Sequence, residues 1–227
     1  MSLFAIADLH LSLGTDKPMD VFKGWTDYIS RLEKNWRAIV KEQDVVVIPG
    51  DISWAMRLSE TVKDFALIHS LPGKKLFLKG NHDYWWATMQ KMQKFLIENG
   101  FTSIDFVHNN AVAYENYAIC GTRGWFFDAK DHNEKVILRE AARLQASIDA
   151  AKARNLIPVV FLHYPPVTKD QVCDEIFSVL VNEKIERCYY GHIHGAGCYN
   201  AVNGIYEGVK FSLVSCDFLE FLPLKIL

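Results

Sequence analysis

Along the chain, short runs of apolar residues alternate with segments in which apolar positions recur near every third or fourth residue. Leu3–Ala7 predicts a strand. From about Trp25 to Lys41 the residues Trp25, Tyr28, Ile29, Leu32, Trp36 and Ile39 mark one face of a helix. Val45–Ile48 is β-branched throughout and predicts a buried strand, followed by a helix from about Ser59, its expected N-cap, to Ser70. Another apolar run begins at Leu76, and a helix carrying Trp86, Met89, Met92, Phe95 and Leu96 should stop at Asn99-Gly100. Strand, helix and strand in succession indicate parallel units with right-handed crossovers.

Beyond residue 100 the pattern changes. Ala111–Tyr114 and Tyr117–Cys120, separated by Glu115-Asn116, predict a hairpin and a shift from parallel to mixed pairing. A long helix from about Asn133 to Arg154 leads to a strand over Pro158–Leu162. A helix near Asp174–Asn182 then precedes a strand over Cys188–Tyr190. The last residues alternate short strands, with Asn203-Gly204 as the expected hairpin turn and closing strands over Phe211–Val214 and Phe221–Ile226. These elements suggest an α/β fold of two sheets packed face to face with helices outside.

The apolar runs end alike. Asp8 and His10 follow the first, Asp51 the second, Asn81, His82 and Asp83 the third, His163 the fourth, and His192 and His194 the fifth. Four of these ends sit in or beside a glycine turn or a proline break. Side chains at the carboxyl ends of strands converge, so residues scattered over nearly two hundred positions can meet. The set holds two aspartates, an asparagine and several histidines but no thiolate, which suits Mn²⁺, Fe²⁺ or Zn²⁺ better than a structural cysteine-type zinc. It also exceeds what one ion needs, so two ions sharing a carboxylate fit the count.

Composition narrows the setting. The 227 residues are half hydrophobic and 23% charged, enough for one well-buried core, and the expected organisation is a single domain over residues 1–227. A net charge of −2 offers no general grip on nucleic acid phosphates. Neither a signal peptide nor a membrane span is apparent, and the five cysteines are odd in number and dispersed. These features suggest reduced thiols in a cytoplasmic protein; oligomeric state leaves no readable trace.

The ordered motifs Asp8-x-His10, Gly50-Asp51, Gly80-Asn81-His82-Asp83, His163 and Gly191-His192-x-His194 resemble those of the calcineurin-like metallophosphoesterases. The resemblance implies a four-layer α/β/β/α sandwich. It implies that Asp8, His10 and His194 bind one metal ion, that Asn81, His163 and His192 bind the other, and that Asp51 bridges them. The ions would be Mn, Fe, Zn or Ni. His82 would stabilise the transferring phosphoryl group or protonate the leaving oxygen, with Asp83 orienting it or supporting the turn. A metal-bridging hydroxide would attack in line, cleaving a phosphate mono- or diester of a small metabolite or nucleotide. The alternative is a non-catalytic, metal-binding interaction module on the same fold.

The chain departs from the protein Ser/Thr phosphatases of that superfamily. Their second motif continues Asp-x-x-Asp-Arg-Gly, whereas Asp51 is followed by Ile-Ser-Trp-Ala-Met-Arg57. Protein phosphatase activity is therefore not expected. For substrate contacts the candidates are Arg57 and Arg123 as phosphate clamps and Trp54, Trp85 and Trp125 as an aromatic rim. His69, His108 and His132 fall outside the strand-end motifs and are expected to be satisfied locally. The loop from Leu11 to Trp25 leaves the first motif directly and is a candidate cover, contacting substrate through Lys17 or Asp20.

Overall fold

A computed structural model describes residues 1–125 and 134–227. Two sheets form its centre. The first has the order β11-β1-β2-β3-β4, built from β1 (Leu3–Ala5), β2 (Val45–Pro49), β3 (Lys74–Leu78), β4 (Ile104–Phe106) and β11 (Leu224–Lys225). β1 to β4 pair in parallel, and β11 closes the edge antiparallel to β1. The second sheet has the order β5-β6-β7-β8-β10-β9. Its strands are β5 (Val112–Tyr114), β6 (Tyr117–Thr122), β7 (Ile157–Leu162), β8 (Arg187–Tyr190), β9 (Gly204–Tyr206) and β10 (Val209–Leu213).

Strand alternation sorts the side chains into layers. Leu3, Ala5, Val45, Val47, Leu76 and Leu78 point between the sheets, where they meet Ile119, Val159, Phe161 and Tyr189. Their neighbours Phe4, Val46, Ile48 and Phe77 point outward to helices α1 (Tyr28–Ile39), α2 (Val62–Ser70) and α3 (Met89–Glu98). Ala118, Cys120, Val160, Leu162, Cys188 and Tyr190 face α4 (Glu134–Lys152) and α5 (Asp174–Asn182) across the other sheet. The result is an α/β/β/α sandwich with three apolar layers, the driving force being burial at about 25 cal/mol per Å² of apolar surface.

Several boundaries differ from the sequence expectation, each for a local reason. α1 starts at Tyr28 because Asp27 takes a left-handed conformation at φ 52°, which leaves Trp25 buried in the preceding turn. Ser59 is not an N-cap; it lies inside a 3₁₀ turn over Leu58–Thr61 that runs into α2. α3 begins at Met89, where the Thr88 hydroxyl accepts from the Lys91 amide, so Trp86 packs on the core from a loop. Asn203-Gly204 does not turn the last hairpin. Glu207 and Gly208 do, both at positive φ, while the Asn203 side chain accepts from the Leu213 amide.

The two sheets are joined at their carboxyl edges. Ala7 N–H donates to Val214 O at 2.7 Å and Cys216 N–H to Ala7 O at 2.9 Å, so the end of β1 continues into the segment beyond β10. On the other side Asp8 N–H donates to Gly50 O and His10 N–H to Asp51 O. One rim therefore collects the strand ends of both sheets.

Candidate metal centre

On this rim the backbone is bent hard. Asp8, His10, Asp51 and His192 all have positive φ, at 61°, 46°, 50° and 72°. Such conformations cost non-glycine residues of order 1–2 kcal/mol each and persist only where surrounding bonds enforce them. Here they turn the side chains back over the strand ends. Two glycines leave room for the turns. A Cβ at Gly80 would overlap the Asp51 amide and carboxylate, and one at Gly191 would overlap the Asp8 carboxylate.

The polar groups fall into two sets. Asp8, His10 and His194 form one and Asp51, His163 and His192 the other; within each set three ligand atoms lie within 4.8 Å of one another. The sets adjoin. His10 Nε2 is 3.8 Å from Asp51 Oδ2, and His163 Nδ1 is 3.6 Å from Asp8 Oδ1. Asn81 Oδ1 lies 2.6 Å from His163 Nε2 and 3.0 Å from His192 Nδ1, placing the amide beside the second set.

Supporting bonds aim these ligands. His163 Nδ1 donates to Pro49 O at 3.1 Å, which turns Nε2 toward Asn81 and Asp51. His194 Nδ1 faces Asp217 Oδ1 at 2.8 Å, and its Nε2 then points at His10 Nε2, 3.3 Å away. A carboxylate behind a histidine is a common orienting device for metal ligands. Asp217 carries no motif in the sequence and is not among the candidates named above; its one signal is position, immediately after the segment that joins the sheets. Asp8 accepts the His192 amide with both oxygens, at 3.0 and 2.9 Å. Asp51 accepts the His82 amide at 2.8 Å.

The electrostatics favour a cation. Burial holds His10 and His163 well below the ordinary histidine range, so both are neutral and able to donate a lone pair. Burial also raises Asp8, to about 7, and raises Asp51 well above the carboxylate range, the latter further pushed by Asp83 and Asp8. Burial opposes the charged form of His194 too, but its bond to Asp217 and the nearby Asp8 charge outweigh this and raise it. Neutral imidazoles beside crowded, desolvated carboxylates are a donor set that divalent ions would stabilise. His10 Nδ1 is buried without a hydrogen-bond partner among the described residues, and it is the other ring nitrogen, Nε2, that faces Asp51 and His194.

The other candidates separate. His82 is half-buried beside the first set, its ring 4.5 Å from that of Trp54 and 5.8 Å from that of His10. Asp83 makes the bonds of a support for the turn. Its carboxylate is fully buried and accepts from the amides of Asp51, Ile52, Ser53 and Gly80 and from the Trp85 indole, so it pins the loop after β2 to the loop after β3. Trp85 is core, only 2% exposed and edge-on to Phe65, and cannot meet a substrate.

Trp54 stacks on His10 at 4.9 Å and lines a cavity over the first set. Arg57 is exposed at the start of the 3₁₀ turn and lines no wall of that cavity. Arg123 lies over Trp125 and lines a separate cavity of about 100 Å³ with Lys79, Glu140 and Arg143, although its carbonyl accepts from the amides of His163 and Tyr164. Trp125 packs against the α4 side of the second sheet. His69 bonds Ser103, His108 sits beside Asn109 and Asn110, and His132 lies outside the described residues.

A family description, calcineurin-like phosphoesterase, matches residues 1–196. The chain belongs to the calcineurin-like phosphoesterases. It is thus a metal-dependent phosphoester hydrolase of a dimetal family, and the two ligand clusters are where such ions would be held. Among solved structures, phosphopantetheinyl hydrolase from Mycobacterium tuberculosis is similar, with a TM-score of 0.53 at 15% identity over 100% of this chain and 95% of that one. A protein of unknown function, AQ665 from Aquifex aeolicus, gives 0.52 at 14% over 99% and 95%. TT1561 of Thermus thermophilus gives 0.52 at 13% over 85% and 81%. At these identities the likeness is one of fold. No curated protein matches this calcineurin-like phosphoesterase significantly. No helix among its described residues is long and apolar enough to cross a membrane.

Proposed function

We propose that residues 1–227 form one catalytic domain that hydrolyses a small phosphate mono- or diester, with each strand-end residue in a definite role. Asp8, His10 and His194 would hold one divalent ion, Asn81, His163 and His192 the other, and Asp51, which lies near residues of both sets, would serve both. The observation that carries this assignment is the pair of adjoining three-ligand sets, with Asp51 near His10 on one side and His163 on the other. When bound, the ions supply an activated water and neutralise phosphoryl charge. The chain's own groups do the rest. His82 contacts the phosphoryl group or protonates the departing oxygen, and the bond from its amide to Asp51 keeps it in register with the ligands. Asp217 and Pro49 set the orientation of His194 and His163. Manganese, iron, nickel and zinc all suit this oxygen and nitrogen donor set.

The test is reconstitution of the purified chain with each of these metals and hydrolysis of p-nitrophenyl phosphate and bis-p-nitrophenyl phosphate. Asp51→Ala should lose metal as well as turnover. His82→Ala should retain two ions per chain while losing turnover by about 10²-fold or more. Turnover retained in a metal-loaded His82 variant would remove His82 from the reaction. Preference between the two esters decides between monoester and diester substrates.

A further inference from the structure

Beside the first ligand set, a cavity of about 390 Å³ opens between the Leu11–Trp25 loop and Trp54, with His10, His82 and His194 on its floor. Its outer wall comes from the loop: Met19, Phe22, Lys23 and Trp25. Trp54 completes it. Among the described residues of this loop wall, Lys23 is the one charged side chain; Asp217 and Gly195 line the cavity beside His194.

The wall is preformed. Successive turns tie Phe22 N–H to Met19 O, Trp25 N–H to Phe22 O and Tyr28 N–H to Trp25 O, each within 3.0–3.1 Å. Asp20 accepts the Asp27 amide through one carboxylate oxygen, a further tie within the loop. Trp25 anchors the loop against Phe221, 5.3 Å between rings, and against His194 at 5.9 Å. The Trp54 indole N–H donates to Met19 Sδ, locking the two sides together. Phe22 remains 55% exposed on this rigid frame. A rigid, exposed aromatic beside a reactive centre stabilises an apolar ligand at little ordering cost.

We infer that this cavity receives the alcohol portion of the substrate, and that the alcohol is apolar, an alkyl or aryl group and not a sugar or polyol. The inference rests on the role proposed for His82. A group that protonates the leaving oxygen places the departing alcohol beside its own ring, and His82 opens onto this wall. A polyol here would lose hydration against a wall whose one charged group is Lys23, since Asp217, which also lines the cavity, is already bonded to His194 and to the Gly195 amide. An alkyl chain or ring would exchange water for Phe22, Met19 and the Trp54 face.

The experiment uses two series in which only chain length varies, so leaving-group reactivity stays nearly constant. One is the alkyl phosphates from ethyl to octyl, with glycerol phosphate as the polyol. The other is the matching alkylphosphonates, which cannot be hydrolysed, measured by calorimetry on the metal-loaded protein. Both kcat/KM and phosphonate affinity should climb by up to about fourfold per methylene until the cavity is filled. Phe22→Ala should flatten that slope, and Phe22→Asp should flatten it further; exposure of Phe22 makes both variants compatible with folding. A flat wild-type series, a preference for glycerol phosphate, or an unchanged slope in both variants would overturn the inference. A rising phosphonate series with no ester turned over, bis-p-nitrophenyl phosphate included, would leave the pocket standing and overturn the hydrolytic role of the site.

Discussion

Asp83→Asn is an isosteric change at the point where two loops of the candidate metal centre are tied together. In the native arrangement Oδ2 accepts from Asp51 N and Gly80 N at 2.9 and 2.8 Å, and Oδ1 accepts from Ile52 N, Ser53 N and Trp85 Nε1 at 2.9, 3.3 and 3.0 Å. An amide keeps one oxygen. Its better orientation preserves the three bonds at Oδ1 and sets an NH₂ against the amides of Asp51 and Gly80. Two buried backbone donors then lose their acceptor, at about 1–3 kcal/mol each, and the remaining three bonds lose the help of a full charge.

Burial pulls the other way, since it is the largest influence on Asp83 and raises its pKa against the N–H bonds that lower it. The net expectation is a loss of roughly 3–4 kcal/mol, a large share of the ~5–15 kcal/mol that holds a domain of this kind together. The assay is equilibrium unfolding in urea, with the slope against denaturant unchanged so that the midpoint reads stability. Because the orphaned amides flank Asp51, metal affinity should fall as well. A loss below about 1 kcal/mol would refute the reasoning, because a neutral Asp83 would already lack the charge and part of the acceptor capacity that the substitution removes. That result would make Asp83 a carboxylic acid in the folded protein.

Three further outcomes follow from the same geometry. Asp217→Asn removes the carboxylate behind His194 and should weaken metal binding by about 10–100-fold in a chelator competition, with stability little changed; unaltered affinity would show that His194 needs no such partner. Gly80→Ala drives a methyl group into the Asp51 amide and should destabilise the chain by about 3 kcal/mol or more in the same urea assay, whereas a wild-type midpoint would mean that the loop can move aside. Lys75 is fully buried under the carbonyl of Leu71 and the hydroxyl of Ser103, and burial lowers its pKa from 10.5 to about 8. Between those values the unfolded chain binds more protons than the folded one, so Lys75 makes stability rise with pH through this window, by roughly 3 kcal/mol at most. Lys75→Met should lack that rise, and parallel pH profiles for the two proteins would contradict the assignment.

What sequence alone revealed depended on regular periodicity. A strand buried on both faces must be apolar along its length and must end where polar groups begin, so Asp8, Asp51, Asn81, His163 and His192 were visible as a set before any coordinates. The same alternation that hides Val46 beneath a helix and Val47 between the sheets is local, repeated every two residues, and readable one strand at a time. Loop chemistry is different. Trp54 and Trp85 each follow a polar turn, yet one stacks on His10 and the other closes over Phe65, because their positions are set by what the facing loop presents.

The remaining features were decided by contacts between distant segments. Asp217 reaches His194 because the strand before it is inserted between two others in the second sheet. Asp83 supports two loops because parallel β2 and β3 deliver their ends side by side. The turn at Glu207-Gly208 prevailed over Asn203-Gly204 as the tertiary pairing of β9 with β10 fixed the register, leaving Asn203 to bond Leu213. Hydrophobic alternation thus determined the layers and the inventory of candidate ligands, since both are properties of each strand by itself. The second set of partners, the apolar wall beside His82 and the choice of which aromatic faces solvent came only with the tertiary structure, since each requires groups that no spacing along the chain relates.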